Sequence, residues 1–128
     1  MTVRIVRLGT ARAPDEGVRI GTVRRPPRGV RKEHYGSQNW YDVWLPNLAP
    51  STETMKMGLA AGTDGERRAF FRKYRAEMSA ADNARLLDVL AALSRHADFS
   101  VGCYCEDEAR CHRSVLRALL VDRGARVR

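Results

Sequence analysis

The sequence predicts an α/β fold, with a small, open and mainly parallel sheet, helices on both faces and one three-layer domain over residues 1–128. Short β-branched stretches alternate with longer stretches in which apolar residues recur at helical spacing, and a buried strand followed by a helix closes the chain. Such alternation favours parallel strands joined by right-handed crossovers. The length and an apolar content of 44% are consistent with a single core.

The N-terminal part of the chain predicts two strands. Residues 3–8 and 18–24 carry the β-branched side chains typical of strands, and the intervening loop contains the turn sequence Pro14-Asp15-Glu16-Gly17. Gly21 interrupts the second strand, which indicates a bulge or a close backbone approach.

An irregular basic loop is predicted over residues 25–37, because Pro26-Pro27 removes two backbone donors. If the second strand ends at Arg24, the loop emerges at the carboxyl end of a strand, where open α/β sheets bind ligands. Guanidinium groups suit carboxylate or phosphate capture, although a solvated basic loop is the alternative. The candidate anion ligands of this loop are Arg24, Arg25 and Arg28.

The middle of the chain predicts one extended segment and three helices. Residues 40–45 are rich in aromatic side chains and stop at a proline, and Ser51 or Thr52 can cap a short helix that ends near residue 59. The capping box Thr63-x-x-Glu66 begins the second helix, and the third occupies residues 79–97. Residues 125–127, after the last helix, are expected to add an edge strand.

Residues 99–121 contain the motif that carries the candidate chemistry. Residues 99–105 predict a buried strand with Cys103 and Cys105 on one face and Tyr104 on the other, and helical spacing begins at Cys111. A thiol near a helix N-terminus and an arginine is in a setting that lowers a cysteine pKa. The strand end and the first helical turn are thus expected to bring together Cys105, Cys111, His112 and Arg113.

Three segments together resemble the domain-of-unknown-function 488 family. Cys103-x6-Arg110-Cys111-His112-Arg113 resembles the family's C-terminal signature, Val23–Gly29 its Arg-and-Pro segment, and Tyr41–Ser51 its Leu-Pro element. Many members have Glu two residues after the strand cysteine, where this chain has Cys105. The resemblance implies an α/β fold and no established activity.

Four potential zinc ligands lie in the motif, namely Cys103, Cys105, Cys111 and His112. Their spacing is unfavourable, because structural zinc sites usually use Cys-x2–4-Cys pairs. Adjacent side chains on a helix also point about 100° apart. We therefore expect no metal and no other cofactor, with zinc as the alternative.

Cysteine chemistry is a second interpretation. Cys111 is a candidate nucleophile, and Cys105 and Cys111 form a candidate reversible redox pair, which would make the protein a cysteine-dependent transferase or redox enzyme. Phosphate-ester hydrolysis is disfavoured, because the loop at 106–110 has no glycine and contains three acids that would repel phosphate.

The favoured interpretation is a protein that binds or processes a nucleotide or nucleic acid. The net charge of +8 and a pI near 10.1 favour an anionic partner. Glu106 and His112 are candidate proton carriers. The arginines expected to bracket the ligand are Arg24, Arg25, Arg28, Arg110 and Arg113. A non-catalytic binding domain with structural cysteines stays open, as does whether the protein is an enzyme at all.

The composition also bears on cellular location. Three cysteines clustered within nine positions argue against a disulfide framework, and arginines interrupt the first apolar stretch, which is unlike a secretory signal. No stretch approaches the roughly 18 apolar residues needed to span a bilayer. We therefore expect a cytoplasmic protein without a membrane partner; the oligomeric state is left open.

Overall fold

The computed structural model describes residues 1–128 and contains four strands and four α-helices. The strands are β1 (Val3–Arg7), β2 (Val18–Gly21), β3 (Val43–Trp44) and β4 (Phe99–Cys103). The helices are α1 (Thr52–Ala60), α2 (Asp64–Met78), α3 (Ala81–Leu93) and α4 (His112–Asp122). All strand pairs are parallel, in the order β1-β4-β2-β3, which confirms the predicted α/β fold.

Strand β4 occupies the interior of the sheet although it is the last strand in the chain. It pairs with β1 from Val3–Phe99 to Arg7–Cys103 and with β2 on its other side, and all five of its residues are buried. Its carboxyl end therefore lies in the middle of one edge of the sheet. Val127 also pairs with Val3, close to the predicted edge strand.

The helix starts follow from local hydrogen bonds. The Ser51 hydroxyl accepts from the Thr54 N–H at 3.2 Å and caps α1, and the Thr63 hydroxyl accepts from the Glu66 N–H at 3.1 Å and caps α2. Both caps were predicted from the sequence.

Helices α2, α3 and α4 pack on one face of the sheet and form the main core with it. The spacing of apolar residues along each helix produces this contact, since one stripe of each faces the strands. The core includes Tyr74 and Met78 of α2, Leu87 and Leu90 of α3, Leu116 and Leu120 of α4, and Phe99 and Val101 of β4.

The opposite face is covered by loops, so the prediction of helices on both faces is corrected. The Arg19 guanidinium, fully buried on this face, binds Glu16 and the main-chain oxygens of Thr10 and Asn39. Ser100 of β4 also donates to Glu16, at 2.7 Å. The connection from β1 to β2 is too short for a helical crossover. The next connection begins with Pro26-Pro27, which disfavours a helix at that point, and contains only a short 3-10 helix at Lys32–His34.

All four strands are shorter than predicted, and the ends of β2 and β4 matter for the site. Strand β2 ends at Gly21 rather than Arg24, and β4 ends at Cys103 rather than Cys105, because the pairing with neighbouring strands stops there. The Tyr41 ring lies against Gly21 and leaves no room for a side chain, so the close approach indicated by the glycine is made by an aromatic ring. The residues freed from these strands line the site.

Candidate functional site at the carboxyl edge of the sheet

A cavity of about 330 Å³ lies where β2 and β4 end, between the cysteine motif and helices α1 and α2. The walls of the cavity are mainly apolar. The cavity opens to solvent beside Leu59 and Cys105, two lining residues that are exposed. The apolar wall includes Val23, Pro50, Met55, Leu59 and Phe70.

The cavity brings together predicted site residues from two distant segments. Cys105, Cys111 and His112 line it, as do Arg24, Arg25 and Arg110. The remaining predicted residues lie outside this cavity: Glu106 is exposed and 4.0 Å from Arg7, Arg28 lies in a neighbouring groove, and Arg113 is buried behind the cysteine loop. The expected meeting of the Arg-Pro loop with the Cys-His motif is therefore found, with these three exceptions.

The three thiols and the imidazole form a compact cluster. The Cys103 and Cys105 sulfur atoms lie 3.7 Å apart, and the Cys111 sulfur lies 3.6 Å from Nδ1 of His112. Cys103 and Cys111 are buried, whereas Cys105 is exposed, and all three cysteines are free. The cluster thus has a buried part and a solvent-facing sulfur.

The environment fixes the orientation and the tautomer of His112. Its Nε2 lies 3.0 Å from the main-chain oxygen of Thr22, and its ring packs edge-on against Tyr74 at a centroid distance of 5.1 Å. A carbonyl oxygen only accepts, so Nε2 carries the proton and donates to Thr22. In the neutral ring, Nδ1 therefore presents its lone pair to the Cys111 sulfur.

The cluster favours negative charge on the exposed sulfur. Hydrogen bonds from Cys103 and Cys111 lower the pKa of Cys105 well below its ordinary value of 9.0, and the charge of Arg113 acts in the same direction. Hydrogen bonding with the other two cysteines, together with burial, raises the pKa of Cys103, whereas hydrogen bonding with Cys103 lowers the pKa of Cys111.

Two of the predicted anion-binding arginines bind main-chain oxygens. Arg113 is 3% exposed and donates from Nη2 to the Cys105 oxygen at 2.6 Å, which holds the cysteine loop to α4. Arg24 donates to the oxygens of Ala49 and Pro50 and joins the Arg-Pro loop to the segment before α1. Arg110 is exposed and lies 3.6 Å from Asp107.

A basic groove adjoins the cavity. Three arginines line it, Arg7, Arg25 and Arg28, and no acidic side chain does. Arg25 and Tyr104 line both the groove and the cavity, and the Tyr104 hydroxyl donates to the Arg25 oxygen at 2.8 Å. The two depressions therefore share a border formed by these two residues.

Sequence reasoning missed several residues of this surface. Tyr104 was expected on the face opposite the two cysteines, but strand alternation ends at Cys103 and all three residues line the cavity. Arg7 ends a strand next to β4, so the carboxyl-end rule was the signal that could have found it. Phe70 and Met55 carried no such signal, because only the packing of α1 and α2 brings them here.

No helix combines the length and the apolar character needed to cross a bilayer. In a comparison with known families, the model DUF488-N3a, described as the active DUF488-N3 subclade, matches residues 3–124. No curated protein and no solved structure matches the chain. The family match confirms the resemblance found in the sequence motifs.

Proposed function

We propose that this chain, which belongs to the DUF488 family, binds a nucleotide through the cavity and the basic groove beside it. The base lies in the apolar cavity and the phosphate lies on the arginines of the groove. The family name records a domain of unknown function, so the proposal rests on the geometry of this chain.

One observation carries the proposal: Arg25 and Tyr104 border both depressions. A ligand that fills both must carry an apolar part and an anionic part in one small molecule. A nucleotide has this form, with the ribose joining the base to the phosphate. The volume of about 330 Å³ is within the range of small-molecule sites. Phe70 and Tyr104 offer aromatic surface to a base.

The charges of the groove support a phosphate there. Arg25 and Arg28 are exposed and form no ion pair with a carboxylate, so their guanidinium groups are available to a ligand. Arg7 lies 4.0 Å from the exposed Glu106, a weak pairing that solvent screens. One guanidinium group can donate two parallel hydrogen bonds to the oxygens of a phosphate. The net charge of +8 also attracts anions to the molecule.

Calorimetric titration of the full chain tests the proposal, with a nucleoside monophosphate, its nucleoside and inorganic phosphate as three separate ligands. The monophosphate should bind most tightly, and its affinity should fall as salt is raised. The Arg25→Ala/Arg28→Ala double variant should lose at least about tenfold in affinity, the equivalent of roughly 1.4 kcal/mol.

The matched control is Arg72→Ala, which removes an exposed arginine of α2 outside both depressions. It should bind the monophosphate like the wild type. Absence of monophosphate binding at low salt, or an equal loss in both variants, would contradict the proposal. A short single-stranded oligonucleotide in the same titration tests whether the base of a nucleic acid is accepted as well.

A cysteine-dependent transferase or redox activity is a second candidate, favoured by the position of Cys105. Its sulfur is exposed in the cavity and lies 3.7 Å from that of Cys103. The description of the matched subclade as active is consistent with chemistry at this site. Free thiols also suit a reducing compartment such as the cytoplasm.

Mild oxidation of the metal-free protein separates this candidate from a purely binding function. Hydrogen peroxide that takes two electrons from Cys105 and a neighbouring thiol forms one intramolecular disulfide and two water molecules. Peptide mapping should find this disulfide in the wild type and not in Cys105→Ser. A protein that binds nucleotide but forms no such disulfide is a binding domain with structural cysteines.

A further inference from the structure

We propose that Cys103, Cys111 and His112 bind a thiophilic divalent cation such as Zn²⁺, with the fourth coordination position turned toward Cys105 and the cavity. One donor atom from each of the three residues lies within 4.8 Å of the other two, and all three residues are buried. The sequence spacing predicts no such site. Its ligands line the cavity but not the basic groove, so metal binding and nucleotide binding are tested in separate titrations.

The separation between the Cys111 and His112 donor atoms agrees with a tetrahedral site. Zinc bonds of about 2.3 Å to sulfur and about 2.0–2.1 Å to nitrogen require neighbouring ligand atoms to lie roughly 3.5–3.8 Å apart. The Cys111 sulfur lies 3.6 Å from Nδ1 of His112. Cys103 is close to both residues, since one donor atom from each of the three lies within 4.8 Å of the others.

The backbone at Cys111 explains why adjacent residues converge. Side chains of neighbouring helical residues would diverge by about 100°, which was, beside the cysteine spacing, a reason for expecting no metal here. Cys111, however, is the N-cap of α4 and has an extended backbone, with φ −106° and ψ 155°. Its sulfur therefore lies beside the His112 ring, and the expected divergence is wrong.

A hydrogen bond to Thr22 orients the His112 ring so that Nδ1 can bind a metal ion. Because Nε2 donates to the Thr22 oxygen at 3.0 Å, the neutral ring keeps Nδ1 unprotonated on the side of the cysteines. Histidine ligands in metal sites commonly have their other ring nitrogen held by a carbonyl or carboxylate in this way. Cys103 is held by the pairing of β4 with β1, so all three ligands have fixed positions.

The surrounding charge is consistent with a cluster of thiolates. Arg113 is buried, forms no ion pair with a carboxylate and donates to the main-chain oxygen of Cys105. The positive charge of Arg113 lies close to the cysteine cluster and favours the thiolate form of its sulfur atoms. Binding one Zn²⁺ displaces one proton each from the Cys103 and Cys111 thiols to the buffer, and the neutral His112 contributes only its lone pair.

Metal titration of the chelator-treated full chain tests the site, without nucleotide present. Zn²⁺ should bind with a stoichiometry of one ion per chain and raise the Tm. Co²⁺ should give the charge-transfer absorption that thiolate ligands produce. Cys111→Ser should weaken Zn²⁺ binding by more than the roughly 10–100-fold typical of outer-shell changes, whereas His34→Gln, which removes an exposed imidazole, should leave it unchanged.

X-ray absorption of the Zn²⁺-loaded wild type keeps the test independent of how well the variant folds. At least two sulfur ligands and one nitrogen ligand support the site. A shell of oxygen and nitrogen alone, no binding by the wild type, or unchanged affinity in Cys111→Ser would each overturn it. Nucleotide titration of the metal-free protein is a separate measurement, so failure of this proposal is distinguishable from failure of the proposed function.

Discussion

Nε2 of His112 donates to the main-chain oxygen of Thr22 across 3.0 Å, and this bond joins the start of α4 to the end of β2. Both residues are buried, and 90 positions separate them in the chain. The contact aligns the Cys-His motif with the strand that leads into the Arg-Pro loop. The His112 imidazole is therefore one of the groups that fix the geometry of the site.

Replacement of this imidazole should destabilise the protein. His112→Leu leaves the buried Thr22 oxygen without its donor, and an unpaired buried group costs about 1–3 kcal/mol. Urea unfolding in the presence of a chelator measures the loss without a contribution from metal. His96→Leu is the control, because His96 is exposed, and its effect should stay within about 0.5 kcal/mol. Equal effects of the two variants would show that the bond contributes nothing.

The buried pair of Glu16 and Arg19 should make stability depend on pH. Burial alone would raise the pKa of Glu16, but hydrogen bonds from Arg19 and Ser100 outweigh it and hold the pKa below the ordinary 4.5. The stabilisation is therefore fully present above pH 4.5 and is lost as the pH falls through the lowered value.

Glu16→Gln removes this dependence and leaves Arg19 buried without a counter-charge. At neutral pH the variant should lose about 3–5 kcal/mol, and its difference from the wild type should shrink as the pH falls below 4.5 and through the lowered pKa of Glu16. Glu53→Gln is the control, since that side chain is 82% exposed. Parallel pH profiles for wild type and Glu16→Gln would contradict the assignment.

The cysteines should differ in their reaction with iodoacetamide. Cys105 is exposed, whereas Cys103 and Cys111 are 7% and 2% exposed, so alkylation of the latter two requires local opening. Peptide mapping of the chelator-treated protein should find Cys105 modified at least about tenfold faster. Urea-unfolded protein is the control and should show comparable rates at all three positions. Similar rates in the native protein would mean that the cluster is not packed as described.

The sequence was sufficient to predict the types of element but not their arrangement around the sheet. Helix caps at Ser51 and Thr63 and the buried strand from Phe99 are local features, and all three were predicted correctly. That helices α2, α3 and α4 lie on one face depends on which crossovers are too short or too rich in proline for an α-helix. The loop layer around Arg19 also required long-range contacts that no local pattern encodes.

The candidate site was predicted in part for the same reason. The carboxyl-end rule located Cys105 and Arg25 at one edge, and both line the cavity. The convergence of Cys111 with His112 was missed, because the helix was expected to begin one residue earlier than it does. A shift of one residue at a helix start changes the direction of a side chain completely, and helix ends are the least certain feature of a sequence pattern.

The hydroxyl of Tyr104 should matter for ligand binding more than for folding. It donates to the Arg25 oxygen at 2.8 Å, near solvent, and so holds the Arg-Pro loop at the border of the cavity and the groove. Tyr104→Phe keeps the ring against Trp40 but releases the loop. The bond is worth about 0.5–1.5 kcal/mol, so affinity for a nucleoside monophosphate should fall about two- to tenfold.

Tyr35→Phe, which removes a hydroxyl with no role in either depression, should bind as the wild type does. Calorimetry of the three proteins measures the difference, and an unchanged affinity in Tyr104→Phe would mean that the position of Arg25 does not depend on this bond.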